Sequence, residues 1–324
     1  MSQFETLVRV ARLYYELGET QSRIADLIGV TRPQVSRLLK QARAEGVVEI
    51  RIVDRTAVAS PAADALAQRF DLHAVHLAPT LVGPEDLTRR SVGRLAADVL
   101  RAAVRDGHVV GIGDGSAVSA TADALDDVVV HVDATVVPLC GGFWFGGAAR
   151  EPFRRVAEAL GATAHGLLAP GVLDDAETRD ALAAHAGVRA VRDLWDRLDI
   201  ALFGIGGPGW SEPAIGEAAA EIDERGGVGE ILIAPFDLEG RFVGDRLRAR
   251  TIAFDARDLP RVPVAIGVAS GAAKVAPILG GLRAGVVGTL VTDVETAEAV
   301  VALNEAARSS PGADTRTDAG GLAR

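Results

Sequence analysis

Between residues 31 and 44 the chain carries Arg32, Arg37, Lys40 and Arg43 and not one acid. Four cations with no acid among them suit contact with backbone phosphates, while Arg and Gln side chains also carry the paired groups that read base edges. A second set of residues suits a small polar ligand. Gly111-Ile112-Gly113-Asp114-Gly115-Ser116, Gly141-Gly142, Gly204-Ile205-Gly206-Gly207 and Ala269-Ser270-Gly271 each close an apolar run. Backbone N–H groups in such turns can cradle an anion at a helix N-terminus. One glycine turn is weak evidence, since many are structural, but four at the strand ends of one sheet mark a ligand cleft. Lys274 follows the fourth, and Lys40 is the only other lysine in the chain. Its place after a strand suits a phosphate or carboxylate partner, as does that of Arg250 just ahead of TIAF. A solvated surface cation is the plainer reading of either.

The elements that must position the first set are three short helices. Leu7, Val10, Ala11, Tyr14 and Leu17 recur at three- and four-residue steps, and Gly18 stops them. The next opens at Thr20, carries Ile24, Ala25, Leu27 and Ile28, and ends at Gly29. The third opens at Thr31 with Pro33 in its first turn and runs through Val35, Leu38, Leu39 and Ala42 to Gly46. Counting Gln21 as the first position puts Ala25 fifth, Gly29 ninth, Val35 fifteenth and Leu38 eighteenth, which resembles the pattern of bacterial helix-turn-helix repressors. Gln21, Thr31, Arg32, Gln34, Ser36, Arg37, Lys40 and Arg43 are then the candidate DNA contacts. Arg would grip guanine, Gln34 would read adenine, and Lys40 and Arg43 would sit over phosphates. A packing module with a solvated basic face is the alternative. VVEIRIV (47–53) alternates like a strand and suits a wing or a bridge, and TAVASP (56–61) reads as a linker.

The elements behind the second set are apolar runs alternating with amphipathic stretches. Strands are expected at 75–77, 109–113, 134–139, 165–169, 199–206, 230–234, 262–268 and 286–291, with helices at 84–105, 152–160 and 294–308 among them. Near-continuous apolar strands separated by helices indicate a largely parallel sheet covered on both faces, an α/β fold. Ligands bind such sheets outside the carboxyl ends of the strands.

The 324 residues are long enough for about two domains, and 48% hydrophobic with 24% charged residues is ordinary globular composition. The formal charge of −10 divides unevenly: residues 1–55 carry +2 and the remainder −12, so the acidic whole does not argue against a nucleic-acid partner. Cys140 is the single cysteine, which excludes an intrachain disulfide and a multi-thiolate metal site and fits a reducing cytoplasm. Neither a secretory leader nor an apolar run of membrane-spanning length is expected. The expected division is 1–54 helix-turn-helix, 55–60 linker, 61–308 effector domain and 309–324 disordered tail.

The helix-turn-helix followed by VVPLCGG, DIALFGIG, GGVGEIL and VAIGVASGAAKVAPILGGLRAGVVGTLVTD resembles the SorC/DeoR-type sugar-binding transcriptional regulators along nearly the whole chain. The resemblance implies an all-α, winged helix-turn-helix reader joined to a larger Rossmann-like domain that is similar to sugar-phosphate isomerases. It also implies a phosphorylated-sugar effector and assembly as dimers or tetramers. Gly113, Asp114, Gly115, Ser116, Gly141, Gly142, Gly206, Arg250, Ser270 and Lys274 are the candidate effector contacts. Two positions depart from the family pattern: Asp114 stands where an aromatic or another residue is common, and Ala117 where a hydroxyl residue is. An acid inside a phosphate-cradling loop would repel a dianion, so either the phosphate is held differently or the effector is a less charged sugar or polyol.

The rival reading is an isomerase or deaminase fused to a DNA-binding domain. Such chemistry needs a positioned acid and base. Asp114, Glu230 and Asp245 have no evident placement, and His108, His131 and His165 show no relay spacing. Neither metal-ligand spacing nor a Walker-type loop is present. The reading is therefore a sensor without catalysis, cofactor or metal, whose partners are operator DNA, a sugar, sugar phosphate or polyol, and further copies of itself.

Overall fold

Ser2, Thr20 and Thr31 each precede a helix, as hydroxyl residues at N-caps do. The computed structural model describes residues 2–48, 60–125, 131–142, 151–209 and 215–309. Its first helices are α1 (Gln3–Ala11), α2 (Gln21–Ile28) and α3 (Arg32–Ala44). Val10, Ile24, Ala25, Val35 and Leu39 form one buried cluster and Leu7, Ala11 and Ala42 another. Gly29 ends α2 at φ +73°, a left-handed conformation that costs glycine little because it has no Cβ. One expectation fails here. Leu17, read as part of the buried stripe, is 69% exposed. Arg12–Glu16 form a π-helical turn, whose larger number of residues per turn takes the chain out of the 3.6-residue phase before Leu17 is reached. Residues 49–53 of the strand-like segment, the linker up to residue 59 and the tail from 310 lie outside the described residues.

The remainder continues as α4 (Pro61–Phe70), β1 (Ala74–Ala78), α5 (Glu85–Ala103), β2 (Val109–Ile112), α6 (Ser116–Leu125), β3 (Thr135–Pro138), α7 (Pro152–Leu160), β4 (Thr163–Ala164), α8 (Ala176–Ala183), α9 (Ala186–Trp195), β5 (Ile200–Gly204), α10 (Ala218–Glu224), β6 (Gly227–Ile231), β7 (Ala234–Asp237), α11 (Asp245–Ala249), β8 (Val264–Val268), α12 (Val275–Arg283), β9 (Thr289–Asp293) and α13 (Val294–Ser309). Seven strands pair in parallel in the order β1-β9-β8-β5-β2-β3-β4. Alternate residues of each strand serve opposite layers. Ile200 and Leu202 pack with α5, α6 and α7, while Ala201 and Phe203 pack with α4, α9, α12 and α13. Burial on both faces is why these strands read as continuous apolar runs.

Two expected strands are corrected. Residues 165–169 are not a strand: pairing at that edge ends with Thr163–Ala164, whose one neighbour is β3, and Leu168 is 89% exposed. Residues 230–234 do not join the parallel sheet either. Leu232 and Ile233 take φ of +52° and +65° and turn the chain into an antiparallel hairpin, β6–β7. An apolar run does not reveal whether the backbone stays straight.

Candidate functional site

The basic face is built by helix phase. Val35, Leu39 and Ala42 pin one side of α3 to the core, so Arg32, Ser36, Lys40 and Arg43, at four-, four- and three-residue steps, line the exposed side with Arg37 beside them. Thr31 is exposed at the helix start, and Gln21, on the first turn of α2, is partly buried. Gln34 is already engaged. Its Oε1 accepts from the Thr31 N–H at 2.8 Å and from the Thr31 hydroxyl at 2.9 Å, closing the first turn of α3. Its amide NH2 is the group left to face outward.

The second site follows from sheet topology. From β2 the chain moves to β3 and β4, whereas from β5 it moves the other way, to β8 and β9. The adjacent ends of β2 and β5 therefore form a topological switch point, where open α/β sheets hold ligands. The segment Gly204 to Gly207 is its hub. A Cβ at Gly204 would stand 3.3 Å from the Asp114 carbonyl, one at Gly206 would strike the Glu230 carboxylate, and one at Gly207 would lie 3.5 Å from the Lys274 Nζ. The Asp114 backbone, the Glu230 carboxyl and the Lys274 ammonium thus lean on one glycine segment, which lacks the side chains that would keep them apart.

Their electrostatics are coupled. Burial pushes the Glu230 carboxyl upward and Asp114 adds to the rise, while the Ile233 N–H, donating to Oε2 at 2.9 Å, and Lys274 oppose it. Burial lowers the Lys274 ammonium against the pull of Glu230. The Cys140 thiol, at the end of β3, is raised by burial and then by Asp114 and Glu230, which leaves it protonated and unreactive.

The Lys274 loop is fixed from behind. Asp293, 1% exposed at the end of β9, accepts from the Thr80 hydroxyl at 2.8 Å, the Thr296 hydroxyl at 2.6 Å and the Gly271 N–H at 3.2 Å. Gly271, at φ +96°, then opens the 3-10 turn Ala272–Lys274. Ser270, partly buried, precedes it on the same loop. At the third strand end, the Trp195 Nε1 donates to the Pro138 carbonyl at 2.9 Å and ties α9 to β3.

Five glycine N–H groups of these loops are already engaged. The N–H of Gly113 is bonded to the Leu202 carbonyl, that of Gly141 to Ile252, that of Gly142 to Ala169 and that of Gly206 to Glu230. The N–H of Gly115 bonds the Asp114 Oδ1 at 2.7 Å. Gly141 has a packing role, since a Cβ there would lie 2.5 Å from the Pro170 carbonyl oxygen. The Arg250 guanidinium donates to the carbonyls of Leu173 and Ile215. Ser116 is exposed at the start of α6. Glu230 is the residue that the sequence left without a place: its signal was only an acid beside an apolar run, and the hairpin that delivers it was not foreseen. The histidines of the rival reading do not meet, for His108 and His131 precede β2 and β3 at the amino end of the sheet and His165 follows β4. Among the described residues no group of three or more His, Cys, Asp or Glu is placed to hold a metal ion, and no helix is long and apolar enough to cross a membrane.

A helix-turn-helix with an acid-free face, joined to a parallel α/β domain with charged residues gathered at its switch point, defines a DNA-binding regulator with a ligand-binding domain. The sugar-binding domain family model matches residues 55–302, and the Crp-like helix-turn-helix domain model matches residues 5–68. The erythritol catabolism regulatory protein EryD of Brucella abortus is 30% identical over 306 residues, covering 91% of this chain and 95% of its own. The sorbitol operon regulator of Klebsiella pneumoniae is 28% identical over 313 residues, covering 90% and 96%. The crystal structure of the full-length Klebsiella regulator SorC superposes with a TM-score of 0.74 at 27% identity, covering 93% of this chain and 99% of that one. The chain belongs to the SorC/DeoR-type sugar-binding transcriptional regulators, and the relatives it matches are regulators rather than enzymes.

Proposed function

We propose that α3 enters the major groove of an operator and that a small carbohydrate at the β2/β5 crevice controls that contact. Arg32, Arg37 and the outward amide of Gln34 read bases, Ser36 serves base or phosphate, and Gln21, Thr31, Lys40 and Arg43 hold the backbone. Asp114, Ser116, Ser270 and Lys274 contact the effector, while Gly113, Gly115, Gly141, Gly142 and Gly206 shape the space around it and Arg250 braces the neighbouring loops. The protein acts in the cytoplasm as a dimer or tetramer, with the reader in residues 1–54, a linker at 55–60, the effector domain in 61–308 and a tail at 309–324. Paired readers engage half-sites about one DNA turn apart, ~34 Å, or multiples of it. The effector shifts DNA binding by binding one arrangement of the assembly better than the other.

The observation that carries this reading is the convergence of Asp114, Glu230 and Lys274 on the glycine segment at the switch point. The test is Lys274→Ala, assayed by fluorescence anisotropy on an operator recovered from genomic fragments. The variant is expected to bind DNA like the wild type and to lose the response to the effector. Retained response removes Lys274 from the site, and turnover of a sugar phosphate by the wild type favours the enzyme reading.

A further inference from the structure

The crevice sits where a phosphate would be held in a fold of this kind, beside the N-terminus of α6, yet the local chemistry opposes an anion. The loop donor nearest that helix, the Gly115 N–H, is bonded to the carboxylate of Asp114 itself. That carboxylate also supplies the negative charge that a helix N-terminus favours. The N–H groups of Gly113, Gly141, Gly142 and Gly206 are bonded to carbonyls. Glu230 brings a second carboxyl group to the hub, which burial pushes toward its neutral form, beside the ammonium of Lys274.

Each acid is half engaged. The Asp114 Oδ1 is held by Gly115 and the Glu230 Oε2 by Ile233, which fixes both carboxylates and leaves Asp114 Oδ2 and Glu230 Oε1 as further acceptors. Two acceptors and one amine donor around a glycine floor complement hydroxyl groups, each of which can donate and accept. A phosphate dianion has only acceptors and would stand against the Asp114 carboxylate. We propose that the crevice selects an uncharged polyhydroxy ligand, a free sugar or polyol, over its phosphate ester, with the Asp114 carboxylate standing in the anion position of its own glycine loop. This rests on the assignment of the crevice as the effector site.

The experiment is isothermal titration of the full-length protein with erythritol and erythritol 4-phosphate, D-sorbitol and D-sorbitol 6-phosphate, D-ribose and D-ribose 5-phosphate, and inorganic phosphate. It is run on the wild type and on Asp114→Asn, whose amide oxygen can still accept from Gly115. The expected result is a free compound bound at least tenfold tighter than its ester by the wild type, with that ratio cut at least tenfold in the variant. An ester preferred by the wild type, or a ratio unmoved by Asp114→Asn, overturns the selectivity. Binding of no compound by either protein, with operator DNA still bound, overturns instead the effector-site assignment beneath it.

Discussion

Glu230 is a carboxyl group that would ionise at a lower pH if the chain were unfolded. Burial, the largest influence, and Asp114 raise it, while the Ile233 N–H and Lys274 pull the other way. A folded-state pKa above the unfolded one means that the native state binds the proton more tightly, so stability is greatest at low pH and falls as pH rises through the folded value. Glu230→Gln cannot ionise. Its unfolding free energy is expected to gain on the wild type between pH 4 and pH 7, whatever constant offset the lost partner of Lys274 adds; urea titrations at several pH values measure this, and a difference independent of pH contradicts it. At the other site Arg37 is exposed beside the basic stripe. Arg37→Ala should weaken operator binding by roughly 1–3 kcal/mol and relax base preference at one position if it grips a base; an unchanged operator affinity refutes that contact. Arg37 and Lys274 stand out in the sequence because charge and spacing are local properties. The sequence could not disclose that the Gln34 oxygen is spent on Thr31 or that Arg250 braces carbonyls, because hydrogen-bond partners are settled only when the chain is packed.

Elements turn such residues into sites. β9 contributes no crevice residue, yet through Asp293 it fixes the loop that carries Lys274. Asp293→Ala would leave the Thr80 and Thr296 hydroxyls short of an acceptor and the Gly271 N–H with the Thr296 hydroxyl alone, at a cost of roughly 1–3 kcal/mol. The expected outcome is a folded protein with a lower melting temperature, normal DNA affinity and a weakened effector response. A response equal to wild type would mean that the loop holds its shape without the carboxylate. Most strands and helices were legible because doubly buried strands and amphipathic helices print their periods in the sequence. The hairpin at 227–237 was not, because two non-glycine residues, Leu232 and Ile233, take left-handed conformations that their types give no reason to expect.

The whole molecule is divided in charge, with +2 over residues 1–55 and −12 over the rest. Binding to DNA therefore depends on a small cationic face carried by an acidic body, and counterion release makes such binding steeply salt-dependent. Lys40→Ala is expected to lower affinity alike for operator and random DNA and to reduce the slope of log affinity against log salt by about 1 per reading head. Anisotropy titrations across a salt series measure this, and an unaltered slope takes Lys40 off the phosphates. The division into reader and α/β body was legible from the helix-turn-helix spacing of the first fifty residues and from the apolar strand runs that begin at residue 75, whereas the strand order was not, since no local signal says which strands become neighbours.

That order has a consequence for synthesis. β1 ends at residue 78, and its one neighbour in the sheet is β9, which begins at residue 289. As the chain leaves the ribosome, the three N-terminal helices can close their clusters early, but β1 must wait for more than two hundred further residues before a partner emerges. Such long-range pairing is slow and leaves an open strand edge meanwhile. A chain that stops short of β9 thus loses two strands from the sheet, and early termination is expected to yield insoluble product even where the β2/β5 crevice has been translated in full.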